Sequence, residues 1–281
     1  MCAVQVKRQL ISTRMIMLAV LIIFLKGFVT DPIIRAIDQV YELSGTKYGL
    51  AFLQPFVCLH NSYILSLLLP LFFVMLIAGV PSAEHYDLFV HIRTNRKHFF
   101  ASQVLAIVVL DMAFILLAIL SSALPAVAYI DSSFDYCKAI TGYNIFFPDR
   151  TGEYVTTLLP PNLYNQESFY GACVHSVFLI FLELMLFGMI LLFFSMINIK
   201  FIGVVVVIVL TAISTIITNA DIPQKWLFPT AHSTIWLHKD VLLGKEIFPM
   251  SYSYIYFIAL IIAFLFLAAL FLKKYECHTS R

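Results

Sequence analysis

Three ionisable side chains fall inside long apolar runs of this chain: Lys26 in 15–34, Asp111 in 99–130 and Glu183 in 171–196. An ionisable group in a bilayer costs at least roughly 2.5–3.5 kcal/mol unless it is paired, protonated or facing water, so each is a candidate for ion pairing or proton handling. Counted at 1.5 Å per residue from the start of its run, each lies roughly 15–20 Å in, which puts all three at one depth. The expectation is that Lys26 pairs with Asp111 or Glu183 between helices. A structural ion pair or hydrogen bond is the plain alternative to a proton path. His60 and His175 are expected near the membrane interface.

A second constellation lies in 82–98. Ser82 is placed to cap a helix with Glu84 in its first turn, Leu88, Phe89 and Ile92 fall on one face, and Glu84, Asp87 and His91 fall on another. The stretch ends in the basic cluster Arg93, Arg96 and Lys97, directly before the next apolar run. Basic residues alone explain a topology anchor, but topology does not require an ordered amphipathic helix. The additional order reads as a docking element for a cytoplasmic partner.

Enzyme chemistry has no residues to stand on. The Gly244-Lys245 pair is followed by Glu246 rather than completing a phosphate-binding loop, and neither a His-Glu-x-x-His nor a Gly-x-Ser-x-Gly motif occurs. The five cysteines, Cys2, Cys58, Cys137, Cys173 and Cys277, show no metal-ligand spacing. Cys58 and Cys137 are the two that share an external face, and whether they pair is left open.

The elements that must position these residues follow from composition. Of 281 residues 61% are hydrophobic and 12% charged, with a net charge of +2, where a soluble domain carries roughly 45–50% apolar and about 25% charged residues. Mean hydropathy is +0.92. Soluble, disordered and nucleic-acid-binding classes are excluded, and the class is an all-α polytopic membrane protein. Six apolar runs of spanning length emerge at about 15–34, 62–80, 99–130, 171–196, 201–218 and 252–272. Continuously apolar stretches such as 204–210 exclude the alternation of a β-barrel.

Placing the N-terminus inside puts Lys7, Arg8, Arg14, Arg93, Arg96, Lys97, Lys200, Lys273 and Lys274 in the cytoplasm, and most acids outside. With six spans both termini are cytoplasmic and the first run is a retained helix; a cleaved signal peptide would want a small-residue site after Thr30, which is missing. The first 14 residues have the makings of an interfacial helix. The segment 219–251, with Trp226, Trp236, Pro223, Pro229 and Pro249, is expected to dip into the outer interface as short helices, and 131–169 is more polar. The whole chain, 1–281, reads as a single transmembrane domain.

Six spans with both ends inside, the amphipathic stretch with a basic end between spans two and three, and the Pro- and Trp-containing external segment before span six together resemble the permease subunits of ABC-2-type ATP-binding cassette transporters. The resemblance covers most of the chain and implies that Glu84, Asp87, Leu88, Phe89, Ile92, Arg93 and Arg96 form the coupling helix that docks on a separate ATPase subunit. By resemblance this chain binds no cofactor and has no catalytic residue, ATP and Mg sit on the partner, and two permease chains pair as a homodimer or with a related chain. The implied substrate is hydrophobic or amphipathic, such as a peptide antibiotic moved for export or self-immunity. The alternatives are an ATP-independent proton-coupled transporter or channel using Asp111 and Glu183, and a structural or sensory membrane subunit.

Overall fold

The computed structural model describes residues 14–62, 65–78, 96–150, 152–220, 222–240 and 245–272. Helix α1 (Arg14–Leu25) continues through a π-helical turn (Lys26–Thr30) into α2 (Asp31–Ser44) without leaving helical backbone. The rod therefore outruns the apolar run 15–34. Its extension is amphipathic: Ile33, Ala36, Ile37 and Val40, at the spacing of one helical face, are buried. Gly45 ends it with φ of 68°, a left-handed conformation that suits glycine, and its N–H donates to the Tyr41 carbonyl at 2.8 Å.

A short strand β1 (Leu50–Ala51) and helix α3 (Gln54–Asn61) follow, then α4 (Leu68–Ile77) and α5 (Arg96–Ala123). Strand β2 (Ile130–Asp131) pairs with β1 in parallel, Leu50 opposite Ile130. Four short helices, α6 (Lys138–Thr141), α7 (Tyr143–Phe146), α8 (Tyr154–Leu158) and α9 (Pro161–Tyr164), occupy the polar segment before α10 (Phe169–Met196) and α11 (Lys200–Asn219). The Tyr143 hydroxyl, 2.6 Å from Glu153 Oε2 and 2.8 Å from Gln39 Oε1, joins this segment to α2. The chain ends in α12 (Pro229–Ser233) and α13 (Met250–Phe271), with 3-10 turns at Pro223–Leu227 and Ile235–His238.

Four of these helices are long and apolar enough to cross a membrane: α5 with its 3-10 extension to Tyr129, α10, α11 and α13. They coincide within two or three residues with four of the six apolar runs. The run 62–80 yields the 10-residue α4, roughly 15 Å long and half of what a hydrocarbon core requires. Six spans are therefore not all present as long helices among the described residues.

Helix α10 is the centre. It packs against α13, α11, α5, α4, α3 and α12, and 67% of its most apolar window is buried, against 11% for α13. Gly188 makes one of these crossings close, since a Cβ there would stand 2.4 Å from Ile107 Cγ2 of α5. On the outer surface Ile255, Ile258, Ile262 and Phe266 of α13 are exposed at helical spacing, as are Val205, Ile208, Val209 and Ile216 of α11. Water would not tolerate such faces, whereas lipid does.

Candidate functional site

Between α11 and α13 the chain turns back among the helices. Pro223 and Pro229 open the first 3-10 turn and α12, and Pro249 stands just before α13. At these first-turn positions the missing N–H costs nothing. Thr230, Ala231, His232, Ser233, Thr234 and Ile235 are all buried, so this irregular backbone must find its hydrogen bonds without solvent.

Side chains from the surrounding helices supply them. Asn61, the last residue of α3, accepts from the Ile235 N–H at 3.1 Å through Oδ1. Its Nδ2 donates to Ser176 Oγ and to the Val57 carbonyl, both at 3.0 Å. The Asn61 carbonyl also accepts from Trp236 Nε1 at 2.9 Å. Ser214 Oγ of α11 accepts from the Thr230 N–H at 3.0 Å, and Asn162 of α9 donates to the Trp236 carbonyl at 2.7 Å. Ser214 lies five residues from the end of α11, so the segment reaches about 7–8 Å below that end. Thr211, Ser214, Thr215 and Thr218 form a buried hydroxyl stripe on α11, at the i, i+3, i+4, i+7 spacing of one helix face. That stripe is readable in the sequence and marks the side of α11 against which a polar segment packs.

The three charged residues of the apolar runs take different places. Glu183 is buried on α10; Thr230 Oγ1 donates to its Oε1 at 3.3 Å, and Ser233 is its second side-chain partner. Asp111 is fully buried on α5, and neither carboxylate oxygen has a hydrogen-bond partner among the described residues. The amide of Gln103, eight residues earlier on the same helix, is in the same position. Lys26, in contrast, is exposed and forms no ion pair with either acid among the described residues. The expected pair is thus not made within this chain: Leu25 and Val29 are buried in the core, whereas the Lys26 side chain between them stays exposed. A long amine there is free to reach the polar boundary along its own stem.

Of the docking residues, Glu84, Asp87, Leu88, Phe89, Ile92 and Arg93 lie outside the described residues, and Arg96 opens α5. His60 is 1% exposed, a core histidine, and burial pushes its pKa down to about 3. His175 is half-buried with Nδ1 2.8 Å from the Tyr254 hydroxyl. Cys58 and Cys137 are free buried thiols, so the disulfide left open by the sequence is not formed.

Two histidines escaped the sequence reading. In the inserted segment His232 Nδ1 lies 2.8 Å and His238 Nε2 2.7 Å from one hydroxyl, Ser253 Oγ of α13. Aromatic rings enclose them: Tyr256 stacks on His232 at 3.9 Å, and Trp226 meets His232 and His238 edge-on at 5.6 and 5.1 Å. Burial lowers the pKa of His232 and takes that of His238 down to about 4. Two imidazoles in a Trp- and Pro-rich segment were a visible signal. Their convergence on Ser253, 15 and 21 residues away, was not.

An open groove of about 600 Å³ lies beside the N-terminal half of α10, lined by Tyr170, Val174 and Phe178 together with Phe52 and Phe134. Among the described residues no group of three His, Cys, Asp or Glu side chains is arranged to hold a metal ion.

Long lipid-compatible helices around a buried polar seat define the class: an all-α membrane protein. Within that class, comparison with known proteins identifies no closer kin, for no family model, curated protein or solved structure matches the chain.

Proposed function

We propose that this chain is the permease subunit of an ATP-driven exporter of the ABC-2 type, with six spans, both termini in the cytoplasm and a cell-membrane location. The observation that carries the reading is the segment 222–240, folded back between α11 and α13 and held by Asn61, Ser214 and Asn162. It corresponds to the external Pro- and Trp-containing element before the last span, one of the features on which the resemblance rests. The residues 84–96 then dock on a separate cytoplasmic ATPase that binds ATP and Mg, and a second permease chain completes the pathway. A hydrophobic or amphipathic substrate such as a peptide antibiotic suits the groove lined by Phe52, Phe134 and Phe178.

The test is export in inverted vesicles containing the chain and its ATPase. The reading expects ATP-dependent uptake that is lost in Phe89→Asp while the variant remains in the membrane. Unchanged uptake and unchanged ATPase association in Phe89→Asp overturn it. A second reading, an ATP-independent proton-coupled transporter using Asp111 and Glu183, is favoured by the buried carboxylate of Asp111, which has no hydrogen-bond partner among the described residues. It expects transport driven by a pH gradient without ATP and lost in Asp111→Asn.

A further inference from the structure

The two histidines of the inserted segment are joined by a chain of four hydrogen bonds whose hydrogens can be counted. At one end His232 Nε2 lies 2.7 Å from the Trp226 carbonyl; at the other, His238 Nδ1 lies 3.0 Å from the Thr234 carbonyl. A carbonyl only accepts, so each of these ring nitrogens must carry a hydrogen. In a neutral imidazole the second nitrogen then has none. His232 Nδ1 and His238 Nε2 would therefore both be acceptors, and both face Ser253 Oγ. That hydroxyl has a single hydrogen to give. Four bonds need four hydrogens, and two neutral imidazoles with one serine supply three.

We infer that the His232–Ser253–His238 chain is a binding site for one proton. With a fourth hydrogen, one imidazole is cationic and donates to Ser253 Oγ, which donates to the other imidazole. The same geometry serves with the charge on either ring, so the serine hydroxyl passes the proton between them: a ring N–H bond breaks on one side as one forms on the other. Without that proton, one nitrogen lone pair points at an oxygen lone pair 2.7–2.8 Å away, a contact that pushes the inserted segment off α13. Uptake of the proton replaces it with a charge-assisted hydrogen bond. Lowering the pH through the site's midpoint therefore tightens the segment on the last span, and raising it loosens the contact.

The surroundings set how acidic the site is. Burial opposes the charge on both rings. The face of Tyr256, stacked on His232, favours it, as an aromatic face does for a cation. From α10, the carboxylate of Glu183 reaches the segment through Thr230, and His175 opposes the charge on His238. Lys225 stands 5.4 Å from the Trp226 ring, and beyond His238 the Lys239 amine meets Glu167. Helix α11 contributes hydroxyls of Thr and Ser at this level. Among the described residues Glu183 is the buried acid that touches the segment, through Thr230.

The experiment uses the full chain in lipid nanodiscs, with Trp236→Phe leaving Trp226 as the sole indole, since the sequence has two tryptophans. An imidazolium quenches an adjacent indole, so emission is followed from pH 8 to 3.5, alongside the 15N resonances of labelled histidine. The expected result is one quenching step with the slope of a single proton, in which the His232 and His238 resonances move together. Ser253→Ala, which removes one oxygen and keeps both carbonyl bonds, shifts the midpoint about one pH unit or more toward acid. His232→Gln and His238→Gln each lose the coupled step. A titration unchanged in Ser253→Ala, two independent one-proton steps, or no step in this range overturns the proposal.

Discussion

Replacing Asn61 by alanine tests how the inserted segment is held. The side chain makes three hydrogen bonds, to Val57, Ser176 and Ile235, and it is fully buried. The losses are unequal. The Val57 carbonyl keeps its helical partner, and Ser176, in mid-helix, can turn its hydroxyl to a carbonyl one turn back at little cost. The Ile235 N–H has neither remedy. It is a backbone donor in a non-helical stretch, and leaving it unsatisfied costs about 1–3 kcal/mol. The space vacated by the amide adds about 1 kcal/mol, giving about 2–4 kcal/mol in all. Ser176→Ala removes only a redundant partner of Asn61 and is expected to cost about 0.6 kcal/mol, the usual scale of an interhelical hydrogen bond in a membrane. Unfolding in mixed SDS–detergent micelles, followed by tryptophan emission, measures both. Equal losses for the two variants, or less than about 0.5 kcal/mol for Asn61→Ala, would refute the argument that the backbone donor dominates.

Gly188→Ala places a Cβ 2.4 Å from Ile107 Cγ2, and overpacking of this kind costs about 1–3 kcal/mol; Ile107→Ala in the same chain is expected to recover part of the loss, measured by the same unfolding assay. Lys26→Met is expected to change stability by less than about 0.5 kcal/mol and to be additive with Asp111→Asn, because the two side chains share no contact; non-additivity above that level in a double-mutant cycle would restore the pairing. Glu183→Gln keeps an acceptor for Thr230 and is expected to stay within about 1 kcal/mol of the parent, whereas Glu183→Leu leaves the Thr230 hydroxyl without its partner and costs about 1–3 kcal/mol by the same assay.

The four long helices were legible because each needs only a run of apolar residues, and α5, α10, α11 and α13 start and stop near Pro, Gly or charged residues. The extension of the first rod to Ser44 was partly legible, since Ile33, Ala36, Ile37 and Val40 repeat at helical spacing in a stretch read only as external. Which face a lone charge occupies was not. Lys26 and Glu183 look alike in their apolar runs, and only the packing of Leu25 and Val29 against the core turns one outward while α10 buries the other. The polar seat was the least legible part. Its bonds join Asn61 to Ile235 and Ser214 to Thr230, separations of 174 and 16 residues, and no local pattern encodes such pairs. The hydroxyl stripe on α11 was local, and it is the piece of the seat that a helical-wheel reading recovers.

The central claim is that energy enters through a partner docked on residues 84–96. Affinity purification of the full chain, co-expressed with a candidate ATP-binding cassette ATPase, tests this directly. The account predicts that the ATPase co-purifies with the parent chain, that Phe89→Asp and Arg93→Glu abolish its retention, and that Asn61→Ala does not. Equal retention by the parent and Phe89→Asp chains, or none by either, would contradict it.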